Sequence, residues 1–369
     1  MSGCRHFAAG TCRSCSLMDV PLSEQLERKR LELERITALK AEPPVESSPW
    51  HFRDKVKLTV SGTSESPLIG LLQENLRDTT ELLDCPVQAE ELNDTLPLLR
   101  DFITRWKLTP YNVVERRGEL KGLILSHSPT TNEKMVRFVL RSREALDRIR
   151  QGLPELSTFQ VVSVNLQPVP HAILEGPEEI ILSERRVMNH RLGNVALCFS
   201  PQSFMQTNST VASSLYQTAT DWLSPWRGAR VLDLFCGVGG FALNLARENF
   251  HVHGVEINPQ AIVNARHMSQ VQQLPAEFSA GPAENILALW RQWEPKIVVV
   301  NPPRRGLAAT LGLIQEMRPE ILLYSSCSPT SLAEDIKQLE THYFAQRRKL
   351  FDMFPYTNHF ESLTMLVRR

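Results

Sequence analysis

The ten residues Val231-Leu-Asp-Leu-Phe-Cys-Gly-Val-Gly-Gly240 decide the fold of this chain. Their apolar start predicts a buried strand, and the glycines that follow predict a tight turn into a helix. Strand-like and helix-like stretches alternate from there toward the C-terminus, with strands predicted over 230–235, 251–256, 297–300 and 321–324 and helices over 240–248 and 259–270. This alternation predicts an α/β fold with a parallel, doubly wound (Rossmann-like) sheet.

The turn carries the pattern Asp233-x-x-x-Gly237-x-Gly239, which puts small residues where a ligand must approach the backbone. Glu256 ends the next predicted strand, where its carboxylate can accept hydrogen bonds from ribose hydroxyls. Residue 242 is alanine, so the pattern departs from the Gly-x-Gly-x-x-Gly fingerprint of dinucleotide sites. We therefore favour S-adenosylmethionine over NAD, against the alternative of a plain βα turn with a surface glutamate.

A second motif, Asn301-Pro302-Pro303, follows the apolar run Ile297–Val300. Two prolines stiffen the loop, and loops at the carboxyl ends of parallel strands bind ligands. Asn301 is therefore expected to contact a base or the cofactor. Asn-Pro-Pro also occurs in enzymes that methylate exocyclic amines, so amine methylation and an ordinary proline turn both stay open here.

Cys327 distinguishes carbon methylation from amine methylation, because only the former needs a covalent nucleophile. The cysteine follows the apolar run Ile321–Tyr324, which predicts a strand that ends at the ligand-binding edge. Carbon C5 of a pyrimidine accepts a methyl group only after a thiolate has added to C6. A positive charge from Arg304 or Arg305 is expected to favour that thiolate. The alternative is a buried core cysteine.

The same reaction needs a base that removes the proton from C5 after methyl transfer. Two candidates, His359 and Glu361, stand just before the apolar run Leu363–Val367. Glu361 is the better carboxylate candidate and His359 the alternative. Both residues can equally be the exposed end of a strand, and the sequence does not choose between them.

The N-terminal segment is rich in cysteine: Cys4, Cys12 and Cys15 lie close together and Cys85 lies far downstream. The chain has seven cysteines, no signal peptide and no apolar run long enough to cross a bilayer. We therefore expect a cytoplasmic protein that uses thiols for metal binding or catalysis, not for disulfides. Four thiolates can hold zinc or an iron–sulfur cluster, and their spacing leaves both open.

The length allows more than one domain. We predict a cysteine-rich segment with a helix over 1–44, a central α+β RNA-binding domain over 45–195, and the Rossmann-like domain over 196–369. A helix is predicted over Ser209–Leu223, capped by Thr207 or Asn208. Formal net charge is zero, so nucleic-acid contacts would depend on local basic clusters, such as those within 53–57, 116–121 and 137–143.

Together these motifs resemble the RNA uracil-C5 methyltransferases, above all the branch that acts on bacterial 23S rRNA. The likeness runs nearly end to end and includes Asp84–Pro86, Thr109–Val113, Gly118–Lys121, Arg137–Ser142, Pro201–Asn208, Asp233–Phe241, Asn301–Gly306 and Phe351–Pro355. Relatives outside the branch often have aspartate at the position of Asn301, and several carry an additional N-terminal RNA-binding domain. One departure is Ser328, where the family usually has asparagine, so a hydrogen bond that supports this loop is expected to be weaker.

The resemblance implies roles for individual residues. Cys327 is the implied nucleophile and Glu361 the implied base. The implied contacts of S-adenosylmethionine are Gln206, Phe235, Glu256 and Asn301, and the implied ligands of a [4Fe-4S] cluster are Cys4, Cys12, Cys15 and Cys85.

The implied activity is methyl transfer from S-adenosylmethionine to C5 of one uridine of 23S rRNA, U747, through a covalent Cys–C6 adduct. A loop or single strand would let that base leave its stack. We expect a monomer without a membrane partner. The alternatives are C5 methylation of another rRNA or tRNA site, exocyclic-amine methylation, and a redox-sensitive RNA-binding protein with an inert methyltransferase fold.

Overall fold

A computed structural model describes residues 3–73, 79–169, 175–283 and 291–369. The chain forms two compact units, each assembled from separate stretches of sequence. The first unit contains Met1–Cys15, Ser48–His190 and Phe199–Thr207, and the second contains Ser16–Ser47, Arg191–Cys198 and Asn208–Arg369. The division into domains at residues 44 and 195 stays a prediction. Each compact unit contains stretches from more than one predicted domain.

The elements are numbered in chain order over the described residues. The strands are β1 (Glu42–Val45), β2 (Lys55–Gly62), β3 (Pro67–Leu72), β4 (Thr79–Glu81), β5 (Leu120–Ser128), β6 (Glu133–Leu140), β7 (Val161–Leu166), β8 (Glu178–Ile181), β9 (Met188–Leu192), β10 (Val195–Phe199), β11 (Arg230–Leu234), β12 (His251–Glu256), β13 (Ala276–Ala280), β14 (Ile297–Val300), β15 (Ile321–Ser326), β16 (Tyr343–Phe351) and β17 (Glu361–Arg368). The α-helices are α1 (Arg5–Ala8), α2 (Leu22–Thr37), α3 (Glu90–Asn93), α4 (Leu96–Arg105), α5 (Leu146–Gln151), α6 (Ser209–Leu223), α7 (Gly240–Arg247), α8 (Pro259–Val271), α9 (Thr310–Met317) and α10 (Pro329–Leu339).

The first unit is an α+β structure built on a seven-stranded sheet. Its strand order is β4-β3-β2-β5-β6-β7-β8, and every neighbouring pair except β6 and β7 is antiparallel. Helix α4 covers the core with Leu96, Leu99, Phe102 and Ile103, which are all buried. Spacings of three and four residues put these side chains on one face of the helix, so the helix packs as an amphipathic element.

The second unit contains the predicted doubly wound sheet. Its eight strands follow the order β13-β12-β11-β14-β15-β17-β16-β1, and β11 to β15 are parallel to one another. The apolar run of β14 is buried at all four positions, as expected for a strand covered on both faces. The Rossmann-like α/β prediction is confirmed. One strand departs from it, since β17 lies antiparallel between β15 and β16.

The strand order places a ligand crevice. Strand β11 has β12 on one side and β14 on the other, so the order reverses at this point. Open α/β sheets bind ligands at the carboxyl ends of the strands beside such a reversal. Because β17 is antiparallel, its first residues lie beside the carboxyl end of β15, with Ser362 opposite Ser326. Residues that end β11, β12, β14 and β15 and residues that begin β17 thus lie along one edge of the sheet.

Helix α6 begins where it was predicted to begin. Of the two predicted caps, Asn208 fills the position: its side-chain Oδ1 accepts a hydrogen bond from the backbone N–H of Val211 at 3.2 Å.

In the part of the chain that the structure describes, no helix combines the length and the apolar character needed to cross a bilayer.

Candidate active site

The glycine turn after β11 leaves its backbone open to a ligand. Phe235, Gly237 and Gly239 all have positive φ angles, of 63°, 56° and 90°. Such angles are easy for glycine and costly for phenylalanine, so strain is stored at Phe235. A Cβ added at Gly237 would meet no heavy atom within 4 Å, whereas one at Gly239 would lie 3.2 Å from the Phe278 ring. The open side of the turn is therefore at Gly237.

Glu256 is fixed at the mouth of this turn. Its Oε2 accepts a hydrogen bond from the backbone N–H of Gly237 at 3.2 Å, and its Oε1 accepts one from the N–H of Asn258 at 2.9 Å. Each carboxylate oxygen has a second lone pair. The residue can therefore hold the turn and still accept hydrogen bonds from two vicinal hydroxyls.

Asp233 links the turn to the helix behind it. The carboxyl is fully buried, and its Oδ2 accepts a hydrogen bond from the backbone N–H of Ala242 at 3.0 Å. Burial, and to a smaller extent the charge of Glu256, raises the pKa of Asp233 to about 8. Its Oδ1 has no protein partner among the described residues. Its hydrogen bond to α7 helps to keep the glycine turn in place.

The Asn-Pro-Pro loop is anchored by one carboxylate. Oδ2 of Asp335, on α10, accepts hydrogen bonds from the backbone N–H of Leu307 at 2.9 Å and from the hydroxyl of Tyr324 at 2.6 Å. At the other end of the loop, the N–H of Asn301 approaches the carbonyl of Leu234 at 3.5 Å. The loop is therefore tied to β11, β15 and α10, and Asn301 stands beside the glycine turn.

Cys327 lies directly after β15 and is partly exposed. Burial raises the pKa of its thiol, and the charge of Glu361 raises it further, while the charge and hydrogen bonding of Arg304 lower it. The charges of Arg304 and Glu361 both act on the Cys327 thiol, so these three side chains interact electrostatically.

Ser328 supports the turn that carries the cysteine. It is the N-cap of α10, and its Oγ accepts a hydrogen bond from the backbone N–H of Ser331 at 3.4 Å. Its own N–H donates to the Oγ of Ser326 at 3.1 Å. Serine and asparagine are about equally good N-caps, so the departure from the family pattern leaves this cap intact.

Glu361 and His359 occupy different environments. Glu361 is 2% exposed, and its Oε1 accepts a hydrogen bond from the Ser325 hydroxyl at 2.7 Å. Burial raises the pKa of Glu361 to about 7, and the Ser325 bond only partly opposes this. His359 is exposed, and burial together with the charges of Arg304 and Lys29 lowers its pKa. Glu361 therefore has the pKa and the shielding of a general base near neutral pH.

Ser325 was not singled out from the sequence. It lies two residues before Cys327 on β15, and its hydroxyl holds a carboxylate from β17. Only the antiparallel pairing of β15 with β17 brings these residues together. A serine at the end of a strand gives no sequence signal for such a contact.

Gln206 belongs to the first unit, whereas Phe235, Glu256 and Asn301 belong to the second. Gln206 is buried in the segment 200–207, which joins β2 through a bond from the Asp54 N–H to the Thr207 carbonyl at 2.8 Å. This segment also borders a cavity of about 390 Å³ in the first unit, lined by Arg53, Lys55, Lys57, Glu175, Gln202, Ser203, Phe204, Met205 and Thr207. The ring of Phe204 is 69% exposed, which is unusual for a phenylalanine.

The four predicted cluster cysteines all lie in the first unit, and none forms a disulfide. Burial, followed by the neighbouring thiols of Cys85, Cys12 and Cys4, raises the pKa of Cys15 to about 12. The four thiols are therefore close enough to act on one charge. Across the described ranges, however, no group of three or more His, Cys, Asp or Glu side chains is arranged to hold a metal ion.

Comparisons with known proteins point in one direction. A family described as tRNA (Uracil-5-)-methyltransferase matches residues 287–369, and one described as Methyltransferase domain matches residues 226–319. The 23S rRNA (uracil(747)-C(5))-methyltransferase RlmC of Proteus mirabilis is 41% identical, covering 99% of this chain and 98% of the relative. The RlmC of Escherichia coli O1:K1 is also 41% identical, covering 99% of this chain and all of the relative.

One solved structure is similar over nearly the whole chain. It is the Pyrococcus abyssi tRNA (uracil-54, C5)-methyltransferase in complex with S-adenosyl-L-homocysteine. The TM-score is 0.82 at 27% sequence identity, and the match covers 96% of this chain and 85% of that one.

Proposed function

Because this chain belongs to the family of RNA uracil-C5 methyltransferases that includes RlmC, we propose that it methylates C5 of U747 in 23S rRNA. The methyl donor is S-adenosylmethionine, as in the methyltransferase fold it shares. The observation that carries the proposal is the antiparallel pairing of β15 with β17, in which Ser326 lies opposite Ser362. This pairing puts Cys327 and Glu361 next to each other at the ligand-binding edge of the sheet, where the charge of Arg304 also acts on the thiol. An rRNA substrate would place the protein in the cytoplasm, and we expect a monomer.

The first half of the reaction belongs to Cys327. As a thiolate, its Sγ adds to C6 of the uracil ring, and the electrons of the C5=C6 bond move onto the C4 carbonyl oxygen. C5 of the resulting enolate is nucleophilic and takes the methyl group that S-adenosylmethionine supplies, and the electrons of the broken S–CH3 bond stay on the donor sulfur. Burial raises the pKa of the Cys327 thiol, so its proton has to pass to solvent water, and the guanidinium of Arg304 stabilises the thiolate that forms.

The second half belongs to Glu361. After methyl transfer, C5 carries both a proton and the new methyl group. Ionised Glu361 takes the proton, the C5=C6 bond forms again, and the C6–S bond breaks to release the thiolate. A base with a pKa of about 7 suits proton removal near neutral pH, because it is substantially ionised and still basic. Exposed His359 is less shielded from water and is the weaker candidate.

The methyl donor is proposed to lie beside the glycine turn. Phe235 and the open backbone at Gly237 would border the nucleoside, Glu256 would accept from the ribose hydroxyls, and Asn301 would approach from β14. Gln206 lies in the first unit, and its proposed role as a contact rests on the family resemblance alone. For the other residues, the proposal rests on their positions around the strand reversal.

A Glu256→Ala variant is expected to bind S-adenosylmethionine about 10- to 100-fold more weakly, since hydrogen bonds to a charged acceptor contribute about 1.5–3 kcal/mol. Isothermal titration calorimetry measures this directly. Glu277→Ala is a matched control, because Glu277 is an exposed carboxylate on β13. Equal affinity of Glu256→Ala and the parent protein would remove Glu256 from the site.

The RNA is proposed to contact the cavity of the first unit, which is lined by Arg53, Lys55, Lys57 and Glu175 among others. Glu175 pairs with Lys57 at 2.5 Å, so the remaining positive charge is that of Arg53 and Lys55. Positive side chains can bind phosphates, and the exposed ring of Phe204 offers a face on which an unstacked base can lie. With a net charge of zero, the protein would rely on such a local surface to hold its substrate.

We infer that Cys4, Cys12, Cys15 and Cys85 hold a [4Fe-4S] cluster. Four thiols that act on one another fit a four-thiolate group in kind. Four thiolates also suit a single zinc ion. The cluster is preferred because the resemblance to the RNA uracil-C5 methyltransferases implies it.

Anaerobically purified protein is expected to contain iron and acid-labile sulfide, about four of each per chain, and no stoichiometric zinc. Metal analysis and the visible absorption of the cluster measure this without any activity assay. Cys85→Ser should lose the iron, while Cys198→Ser should keep it, because Cys198 is a buried residue of β10 in the other unit. One zinc per chain would refute the inference.

The proposed function is tested by nucleoside mapping of rRNA from a strain without this protein. Loss of 5-methyluridine at U747, restored by the purified enzyme with S-adenosylmethionine, is the expected result. 5-Methyluridine lost at another rRNA or tRNA site would change the target, and a lost N-methylated base would change the chemistry. An unchanged modification profile would point to an RNA-binding protein without activity.

A further inference from the structure

The loop 352–360 leads directly into Glu361. It joins the end of β16 to the start of β17, and it contains the exposed His359. The helix that holds this loop is α2, which comes from the opposite end of the sequence. Both belong to the second unit.

A buried ion pair joins the helix to the loop. The Nζ of Lys29 lies 2.7 Å from Oδ1 of Asp352, and these side chains are only 3% and 7% exposed. The same Nζ donates to the carbonyl of Phe354 at 3.1 Å. One ammonium group therefore fixes two points of the loop, one side chain and one backbone carbonyl.

A second contact lies one turn earlier on the helix. The backbone N–H of Tyr356 donates to Oε1 of the fully buried Gln25 at 2.8 Å. The Tyr356 carbonyl accepts a hydrogen bond from the N–H of Leu17 at 2.9 Å. Gln25 is itself held, since its Nε2 donates to the carbonyls of Leu17 and Val20. Tyr356 has a φ of +64°, an unfavourable angle for a residue with a side chain. These hydrogen bonds hold the loop in that conformation.

The pair is poorly explained by stability alone. Removing two charges from water costs about as much as their attraction returns, so a buried pair adds little net stability. What it does provide is a defined position for the segment that precedes the base. Phe360 and Glu361 follow as buried residues, only a few positions after the last anchored one.

We propose that Lys29 is a positioning residue for Glu361, which acts through Asp352 and the loop. This rests on the proposed function, in which Glu361 removes the C5 proton. Displacing a base by about 1 Å can slow its step about 100-fold. Addition of the Cys327 thiolate and methyl transfer do not use the base. A loosened loop therefore slows elimination selectively, and the methylated Cys–C6 adduct accumulates.

The test uses full-length protein, unmodified RNA that contains the target uridine, and S-adenosylmethionine. In Lys29→Met and Asp352→Asn, we expect kcat to fall about 10- to 100-fold. The KM for RNA should fall with it and kcat/KM should stay nearly unchanged, because the slowed step follows methyl transfer. The fraction of protein that migrates as a covalent RNA complex in a denaturing gel should rise at least about tenfold. The double variant should be no worse than either single one, since both remove one contact.

The matched control is Arg348→Met. Arg348 is another buried cation that contacts α2: it donates to the Thr37 hydroxyl, and also to the Leu39 carbonyl just after the helix at 2.8 Å. Its loss should lower the melting temperature without adduct accumulation. If Lys29→Met does not fold, the nearly isosteric Asp352→Asn decides alone. Low activity without adduct, full activity, or equal adduct in the Arg348 variant would each overturn the proposal.

Failure of the proposed function is separable from failure of this inference. The wild-type protein is incubated with RNA that carries 5-fluorouridine at the target position, where fluorine blocks proton removal and a covalent complex must persist. If wild type forms no complex, the thiolate mechanism itself is wrong. If it does, and the Lys29 and Asp352 variants still release natural RNA normally, only the positioning role is wrong.

Discussion

Replacing Cys327 with alanine is expected to reduce C5 methylation by more than about 10⁴-fold, because no other step makes C5 nucleophilic. The variant should still bind S-adenosylmethionine, since the glycine turn and Glu256 are untouched. It should also form no covalent complex with 5-fluorouridine RNA. Transfer of a tritiated methyl group and a denaturing gel measure the two effects.

Cys198→Ala is the control for that experiment. Cys198 lies in the same unit, is 2% exposed, and burial raises the pKa of its thiol to about 11. Such a thiol is inert, so its loss should leave methylation within a few-fold of the parent protein. Methylation of C5 by the Cys327 variant at a comparable rate would mean that the enzyme has no thiolate intermediate.

Replacing Glu361 with glutamine is expected to lower turnover about 10²- to 10⁴-fold, the usual contribution of a positioned base. The loss should fall on elimination, so natural RNA should remain attached to Cys327 after a single methyl transfer. The attached uridine should carry the methyl group, which mass spectrometry of the cross-linked peptide can establish. The amide keeps a hydrogen-bond acceptor for Ser325, so the fold should tolerate this change.

His359→Gln is the companion variant. His359 is exposed and lies in the loop 352–360, two residues before Glu361. If His359 were the base, its replacement would lower turnover as severely as the Glu361 change. We expect turnover within about threefold of the parent enzyme, in the range of substitutions at exposed positions. A severe defect in His359→Gln together with a mild one in Glu361→Gln would exchange the two roles.

Much of the sheet that carries the site could be predicted from local patterns. The predicted strands 251–256 and 297–300 match β12 and β14, because their apolar runs are short, buried and bounded by turns. The positions of Glu256 and Asn301 could be predicted from these strands, since the carboxyl ends of parallel strands form the ligand-binding edge. The cap of α6 could be narrowed to two residues for a similar reason, as capping depends on one local side chain.

Three strands of the same sheet were not predicted: β1, β13 and β16. Strand β16 contains several charged residues, yet Arg348 within it is fully buried beside the end of α2. Pro43 and Pro44 lie in β1 at the edge of the sheet, where missing backbone donors are tolerated. The pairing of β1 with β16 and the contact of Arg348 with α2 join residues far apart in the sequence, so no local pattern could reveal them. Strand β13 is different, since its partner β12 is nearby in the sequence.

The contacts among the proposed catalytic residues could not be predicted from local patterns either. Cys327, Glu361 and Arg304 could be named individually, but the effect of the Arg304 charge on Cys327 depends on tertiary structure. The bond from Ser325 to Glu361 joins two strands, and the bond from Lys29 to Asp352 joins a helix to a loop. Side-chain chemistry suggested the reaction, and tertiary structure supplied the environment that raises the pKa of the base.

The antiparallel strand β17 has a consequence for biosynthesis. It lies in the interior of the sheet and pairs with both β15 and β16, which precede it in the sequence. These two strands are joined in the sheet only through β17, so this part of the sheet cannot close during synthesis until β17 has been made. A polypeptide truncated before Glu361 would keep Cys327 but lack the proposed base, and it is expected to be inactive.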